Sequence, residues 1–197
     1  MRLLKRSFFA RDSREVAQDL LNKILLADAG PRGGGGVGGR IVETEAYLAS
    51  GDAASHSFNG QTRRNASMFG KPGLLYVYFT YGMHWCANAV CGADGEGTAV
   101  LIRALAPIHG LETMAERRPK ARRERDLCSG PARLCQALAV NGDDDDSDLL
   151  SGRIRIFDDG TPPPAEPGQS RRIGLSVGVE RPWRWFVQGN RHLSRPG

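Results

Sequence analysis

Apolar positions first recur at helical spacing across Asp12–Lys23, where Val16, Ala17, Leu20, Leu21 and Ile24 fall on one face. Asp12 stands where a cap would stand, and Glu15 follows three residues later in a capping-box arrangement. The period then shortens. Ile24–Ala27 reads as a strand, Gly30–Gly39 as a glycine-rich link and Arg40–Leu48 as a second strand. Ala49–Gly73 is polar and glycine-rich, which predicts a long loop with room for function. Leu74–Tyr81 is rich in Tyr, Val and Phe and reads as a third strand; Gly82 allows a turn, and His84–Cys91 returns beside it. Ala99–Ala104 predicts another strand, ended by Pro107. Leu111–Arg118 reads as a short helix. A further helix opens at Pro131, with Ser129 or Gly130 as cap, and runs through Ala139 with Leu134 and Leu138 as its apolar stripe. Arg153–Phe157, Arg172–Val179 and Trp185–Val187 complete the strands, with a Pro-rich loop over Thr161–Gly168. The sum is a single α+β domain over residues 1–197, a mixed, mostly antiparallel curved sheet surrounded by helices.

Within the second strand, RIVETEAYL puts Glu43 and Glu45 two residues apart, so both carboxylates leave one face while Ile41 and Val42 flank them. Either is a candidate general base on water, or a partner for a nearby arginine. Arg103, on a different strand, would keep such a carboxylate ionised. Tyr47 shares the face of Glu45, Tyr76 and Tyr78 share a face of the third strand, and Tyr81 lies near the turn. Tyrosines gathered near a carboxylate suit a stacking pocket for a base, and equally an ordinary core and rim.

Charge sharpens this. Lys and Arg number 27 against 22 Asp and Glu, a net +5 over 197 residues; such a balance suits a polyanion such as nucleic acid, or a merely soluble basic enzyme. No apolar run is long enough for a membrane span, and the first fifteen residues lack the apolar core and cleavage site of a signal peptide. Cys86, Cys91, Cys128 and Cys135 fit neither a C-x-x-C pair nor a zinc pattern, which predicts buried free thiols in a reducing cytoplasm and no metal. A G-x-G-x-x-G match at Gly33, Gly35 and Gly38 precedes a strand where a dinucleotide loop would open a helix, so a hairpin loop is expected and no cofactor. The basic stretch Arg117–Arg125 reads as a solvated or a phosphate-facing loop. Asp143–Asp146 lacks calcium-loop spacing and reads as a solvated turn.

RIVETEAYL, then ASH at Ala54–His56, then RRNASMFGKPGLLYVYFTYGMHWCANAV, VLIRAL and LCSGPARLCQAL, in this order, closely resemble the alkyladenine (3-methyladenine) DNA glycosylases from roughly Phe8 to Gly189. The resemblance implies a monofunctional base-excision repair enzyme. It would flip 3-methyladenine, 7-methylguanine, hypoxanthine or ethenoadenine out of double-stranded DNA and hydrolyse the N-glycosidic bond with an activated water. It makes Glu45 the base, Arg103 and the backbone carbonyl of Ile173 its partners in holding the water, and Glu43 structural. The flipped base would lie between Tyr47 and His56 on one side and Tyr78 on the other. The His56 N–H would read the purine six-position, and Asn88 would crowd out a two-amino group. Tyr81 would wedge into the duplex from a protruding hairpin tip flanked by Met83 and His84. Arg63, Arg64, Lys71 and Arg133 would meet phosphates, Arg133 from the first turn of its helix. A bacterial cytoplasm is expected, since the long N-terminal extension of some eukaryotic relatives is lacking, and a monomer, since an enzyme of this kind needs no second subunit. Two readings compete: a non-catalytic damage-binding domain with a tyrosine platform, and a glycan hydrolase on Glu43 and Glu45, which lacks an acid for the opposite side of the sugar.

Overall fold

The computed structural model describes residues 1–28, 35–80 and 82–196. The chain runs β1 (Arg2–Leu3), α1 (Arg6–Phe9), α2 (Ser13–Asp19), β2 (Ile24–Asp28), β3 (Gly36–Tyr47), β4 (Leu74–Thr80), β5 (His84–Cys91), β6 (Thr98–His109), α3 (Leu111–Arg117), α4 (Pro131–Leu138), β7 (Ser147–Asp148), β8 (Ile154–Asp158), β9 (Gly168–Ser170) and β10 (Arg184–Phe186). The strands form one sheet in the order β1-β8-β2-β3-β6-β5-β4-β7, with β10 paired to β3 and β9 to β10. Every ladder among the described residues is antiparallel, so the α+β reading holds without the parallel component a mixed sheet would bring. Neighbours such as β4, β5 and β6 follow one another through short links, which suit antiparallel pairing and not parallel crossovers.

The two long strands, β3 and β6, form the spine. On its other edge β3 is served by β2 along its first half and by β10 opposite Glu43–Glu45. Register shifts between β3 and β6 at Gly38/Gly39 and around Glu43 bend this pair. Helix α2 buries Val16 and Ala17, and the turn behind it Leu20 and Leu21, in the main core; α4 adds Leu134 and Leu138. Asp12 caps α2 by accepting from the Arg14 N–H at 2.8 Å. A smaller cluster of Met68, Tyr76, Val90 and Ala99 has Tyr47 and Tyr78 at its edge, and so forms a floor beside the site. All four cysteines are free and buried. Among the described residues no helix is long and apolar enough to cross a membrane.

Several predicted boundaries move. Helix α2 ends at Asp19, four residues short of Lys23, in a turn where Asn22 has φ +68°. The link over residues 30–39 is not all loop: Gly36–Gly39 belong to β3, while residues 29–34, with Gly33 of the dinucleotide-like match, lie outside the described residues. Pro107 does not end β6, because it pairs opposite Gly39 at a register shift, where the ladder tolerates a missing N–H. Residues 172–179 are turns and bends, with Gly174 and Gly178 at positive φ; the strand of this region is β9, nearer the Pro-rich loop. The acidic run is not a purely solvated turn. Asp144 is buried and bound by Arg153, and Asp145 accepts from Ser67 Oγ and the Val77 N–H.

Candidate active site

Strand period brings Glu43 and Glu45 to one face of β3, where both are fully buried. Arg103 reaches them from β6, its Nε donating to Glu43 Oε1 at 3.1 Å and its Nη1 to Glu45 Oε2 at 3.2 Å. From there the two carboxylates diverge. Glu43 Oε1 also accepts from Arg184 Nε at 2.7 Å and from the Ser194 hydroxyl at 2.7 Å, and Oε2 accepts from the Ser194 N–H at 2.6 Å. Glu45 Oε2 accepts from the Tyr47 hydroxyl at 2.9 Å, and Oε1 from the Ile173 N–H at 2.7 Å. Thus Glu43 is enclosed by two guanidiniums and the C-terminal segment, while Glu45 is held by one guanidinium and two neutral donors.

The electrostatics follow. Burial alone would raise both carboxylates. For Glu45 burial wins over Arg103, the Ile173 N–H and the Tyr47 hydroxyl, and the pKa stands above its ordinary value. For Glu43 burial is outweighed by Arg103, the Ser194 N–H and Arg184, and the pKa falls below it. Tyr47 is pushed well up, by burial first and then by the Glu45 charge, so it stays a neutral donor.

Beside Glu45 lies a cavity of about 160 Å³ lined by Tyr47, His56, Met68, Tyr76, Tyr78 and Asn88, among others. That is below the ~300–1,000 Å³ typical of drug-sized ligands, and suits one planar base more than a whole nucleotide. The Arg172 guanidinium lies 4.5 Å from the Tyr47 ring centroid and covers one of its faces. The other rings form their own group: His56 meets Tyr78 edge-on at 4.4 Å, His56 Nδ1 and the Tyr76 hydroxyl are 2.8 Å apart, and Tyr76 tilts against Tyr78 at 5.4 Å. Sequence grouped His56 with Tyr47; the ring contacts group it with Tyr78. Partial burial of the His56 ring lowers its pKa, and Arg64 lowers it further. Asn88 is buried, with its side-chain amide donating to the Tyr76 carbonyl at 3.1 Å.

The remaining candidates lie further out. Ile173 meets Glu45 through its N–H. Met83 is 67% exposed at the turn between β4 and β5, and His84 is exposed beside it; Tyr81 lies outside the described residues. Arg63, Arg64, Lys71 and Arg133 are all exposed. Arg64 donates to the Phe79 carbonyl at 3.0 Å and lines a small cavity with His56 and Tyr76, whereas Arg133 contacts Ser129 at the start of α4. A larger cavity of about 760 Å³, between Arg125 and the C-terminal segment, shares no lining residue with the ring-lined one.

Sequence reasoning missed five participants: Asp52, Asn65, Arg172, Arg184 and Ser194. Buried Asn65 donates to the His56 carbonyl at 2.8 Å and so shapes the loop that carries His56. Arg172 and Asp52 form a bidentate pair at 2.6 Å with both side chains fully covered. Each lies in a loop or a short strand, where no periodicity marks a position as buried; the one available signal was the adjacency of Arg172 to Ile173.

Residues 7–191 match the sequence profile of the family described as methylpurine-DNA glycosylase (MPG). A Burkholderia cenocepacia protein named "Putative 3-methyladenine DNA glycosylase" is 55% identical over 194 residues, covering 98% of this chain and 91% of its own. Proteins of the same name from Rhizobium etli and Bradyrhizobium diazoefficiens are 48% and 46% identical, covering 97% and 98% of this chain and 88% and 91% of their own. The chain belongs to the methylpurine-DNA glycosylase family and is a DNA-repair enzyme, a DNA glycosylase.

Proposed function

We propose that this enzyme turns an alkylated or deaminated purine out of duplex DNA into the ring-lined cavity and cleaves its N-glycosidic bond with a water activated by Glu45. The observation that carries this reading is a fully buried carboxylate, held by Arg103, the Ile173 N–H and Tyr47, with Tyr47 itself lining a cavity sized for one base. Glu45 takes a proton from water, the water oxygen bonds to C1′ of the deoxyribose, and the C1′–N bond breaks with its electron pair going to the leaving base. Arg103 and the Ile173 carbonyl hold the water. Glu43 serves only to fix Arg103, which its enclosure by Arg184 and Ser194 supports.

A cationic base such as 3-methyladenine leaves as a neutral molecule and asks little beyond water activation. Hypoxanthine and ethenoadenine need a proton as they leave, and so depend more on pocket detail. Tyr47 stacks on the base with its uncovered face, His56 and Tyr78 close the other side, and Asn88 excludes a two-amino group. Tyr81 fills the gap in the duplex with exposed Met83 beside it. Arg63, Arg64, Lys71 and Arg133 neutralise phosphates, and one subunit suffices.

The test is single-turnover excision from duplexes carrying hypoxanthine, ethenoadenine or 7-methylguanine, with wild type and Glu45→Gln. We expect base release by the wild type, and lesion binding without release by the variant, a loss of at least about a hundredfold. Full activity in Glu45→Gln would overturn the base assignment. Tight lesion binding without release by the wild type would favour a damage-recognition domain.

A further inference from the structure

Asp52 and Arg172 are as buried as the carboxylate pair, yet neither lines the cavity. Two charges withdrawn from water give a fold little that apolar side chains would not give, since desolvation offsets their attraction. The Arg172 Nε even lacks a hydrogen-bond partner among the described residues. What the pair touches is more telling. Arg172 Nη1 donates to the Ala46 carbonyl at 2.9 Å, on β3 between Glu45 and Tyr47. Its guanidinium covers one face of Tyr47. Asp52 accepts from the Leu48 N–H at 3.2 Å and the Ala54 N–H at 3.3 Å, and so anchors the loop two residues before His56. The residue after Arg172 is Ile173, whose N–H is on Glu45. One ion pair therefore ties the stacking ring, the His56 loop and the peptide that orients the carboxylate.

We propose that Arg172 and Asp52 are positioning residues for base excision, holding the Tyr47 ring in its stacking plane and the Ile173 N–H on Glu45. The inference rests on the function proposed above. Preorganised groups lose their effect through small displacements: about 1 Å at a reacting centre can cost on the order of a hundredfold in rate. Arg172 is placed to prevent such displacement at two points at once. Its planar fork is needed, because a lysine ammonium cannot hold both Asp52 oxygens and the Ala46 carbonyl while lying flat on a ring.

The test compares wild type, Asp52→Asn, Arg172→Lys and the double variant Asp52→Leu/Arg172→Met, which leaves no orphaned charge. Single-turnover excision of ethenoadenine and 7-methylguanine is followed from pH 5 to 9, with DNA half-saturation and Tm measured alongside. We expect the double variant to melt within a few degrees of wild type, with its maximal excision rate down at least about tenfold and half-saturation little changed. The acid limb of the rate profile should move to higher pH. Glu45 would then have lost the Ile173 N–H that lowers its pKa, while the other groups acting on it (Glu43, Tyr47, Tyr78, Cys86 and Arg103) remain. A purely structural pair would lower Tm or active fraction and leave the limb in place. Arg172→Lys should move rate and limb in the same direction, and it carries the test if the double variant does not fold. Wild-type rate and limb in the variants would overturn the positioning role alone; absence of excision by the wild type would overturn it together with the functional reading.

Discussion

At the residue scale, two glutamates of one strand share an arginine and have opposite electrostatic signs, so their stability contributions should run oppositely with pH. Glu45 has a raised pKa in the fold. Its contribution is present below the unfolded carboxylate value, about 4.3, and is lost as pH rises through the folded pKa. Glu43 has a lowered pKa, so its contribution is present above the unfolded value and is lost as pH falls through the folded one. Glu45→Gln should therefore be at least as stable as wild type at neutral pH, because Arg103 keeps Glu43 as its partner, and that advantage should vanish toward pH 4. Glu43→Gln should be destabilised at neutral pH by ~3–5 kcal/mol, as when one member of a buried ion pair is removed, with the gap narrowing in acid. Calorimetric Tm across pH for the three proteins checks this; parallel pH trends in the two variants would refute it. The shared face of the glutamates was legible from the strand period, and Arg103 as a partner from its place on another strand. The sign of each pKa was not, because it depends on Arg184, Ser194 and Ile173, which lie at least 128 residues away in sequence.

At the scale of elements, the strands that sequence marked best are β4, built from Leu, Tyr, Val and Phe, and β5, which returns beside it after Gly82, and sequence placed their ends within a residue. The start of β3 was illegible for the opposite reason. Gly36, Gly38 and Gly39 have poor strand propensity, yet all three pair in the sheet, and at Gly38 and Gly39 the neighbouring backbones leave no room for a side chain. A Cβ on Gly38 would come within 1.9 Å of the Leu25 carbonyl oxygen, and one on Gly39 within 2.1 Å of the Ala106 carbonyl oxygen. Neither obstacle is a side chain that can swing away. Gly39→Ala should then cost ~1–3 kcal/mol or more, the range for overpacking, read as a shift in the urea midpoint with unchanged slope. Wild-type stability in Gly39→Ala would mean that β3 and β6 can separate at their register shift. Because that shift lies on the strand carrying Glu43 and Glu45, some loss of excision should accompany the loss of stability.

At the scale of the whole molecule, the site is closed by the last part of the chain. Strand β10 pairs with β3 opposite both glutamates, with Arg184 across from Glu45 and Phe186 across from Glu43. The chain then returns so that Ser194 donates twice to Glu43, and the Arg195 carbonyl accepts from Arg184 Nη2 at 2.9 Å. Arg103 Nη2 also reaches Ser194 Oγ at 3.4 Å. Nothing in the polar sequence after Val187 marks it as part of a catalytic surround; only the closed fold brings it there. Truncation after Asn190 removes both Ser194 donors and the Arg195 acceptor while leaving β10 intact. Hydrogen bonds to charged groups contribute about 1.5–3 kcal/mol each, and water would replace part of that, so Tm should fall by several degrees at ~2–4 °C per kcal/mol for a chain of this size. Excision should fall further than lesion binding, because Arg103 loses the neighbour that limits its movement between the two carboxylates. Ser194→Ala separates the effects: it removes one hydroxyl, keeps the N–H donor, and should give a smaller loss in the same direction. If the truncated protein matched wild type in both Tm and single-turnover rate, Arg103 and Arg184 alone would suffice to hold Glu43.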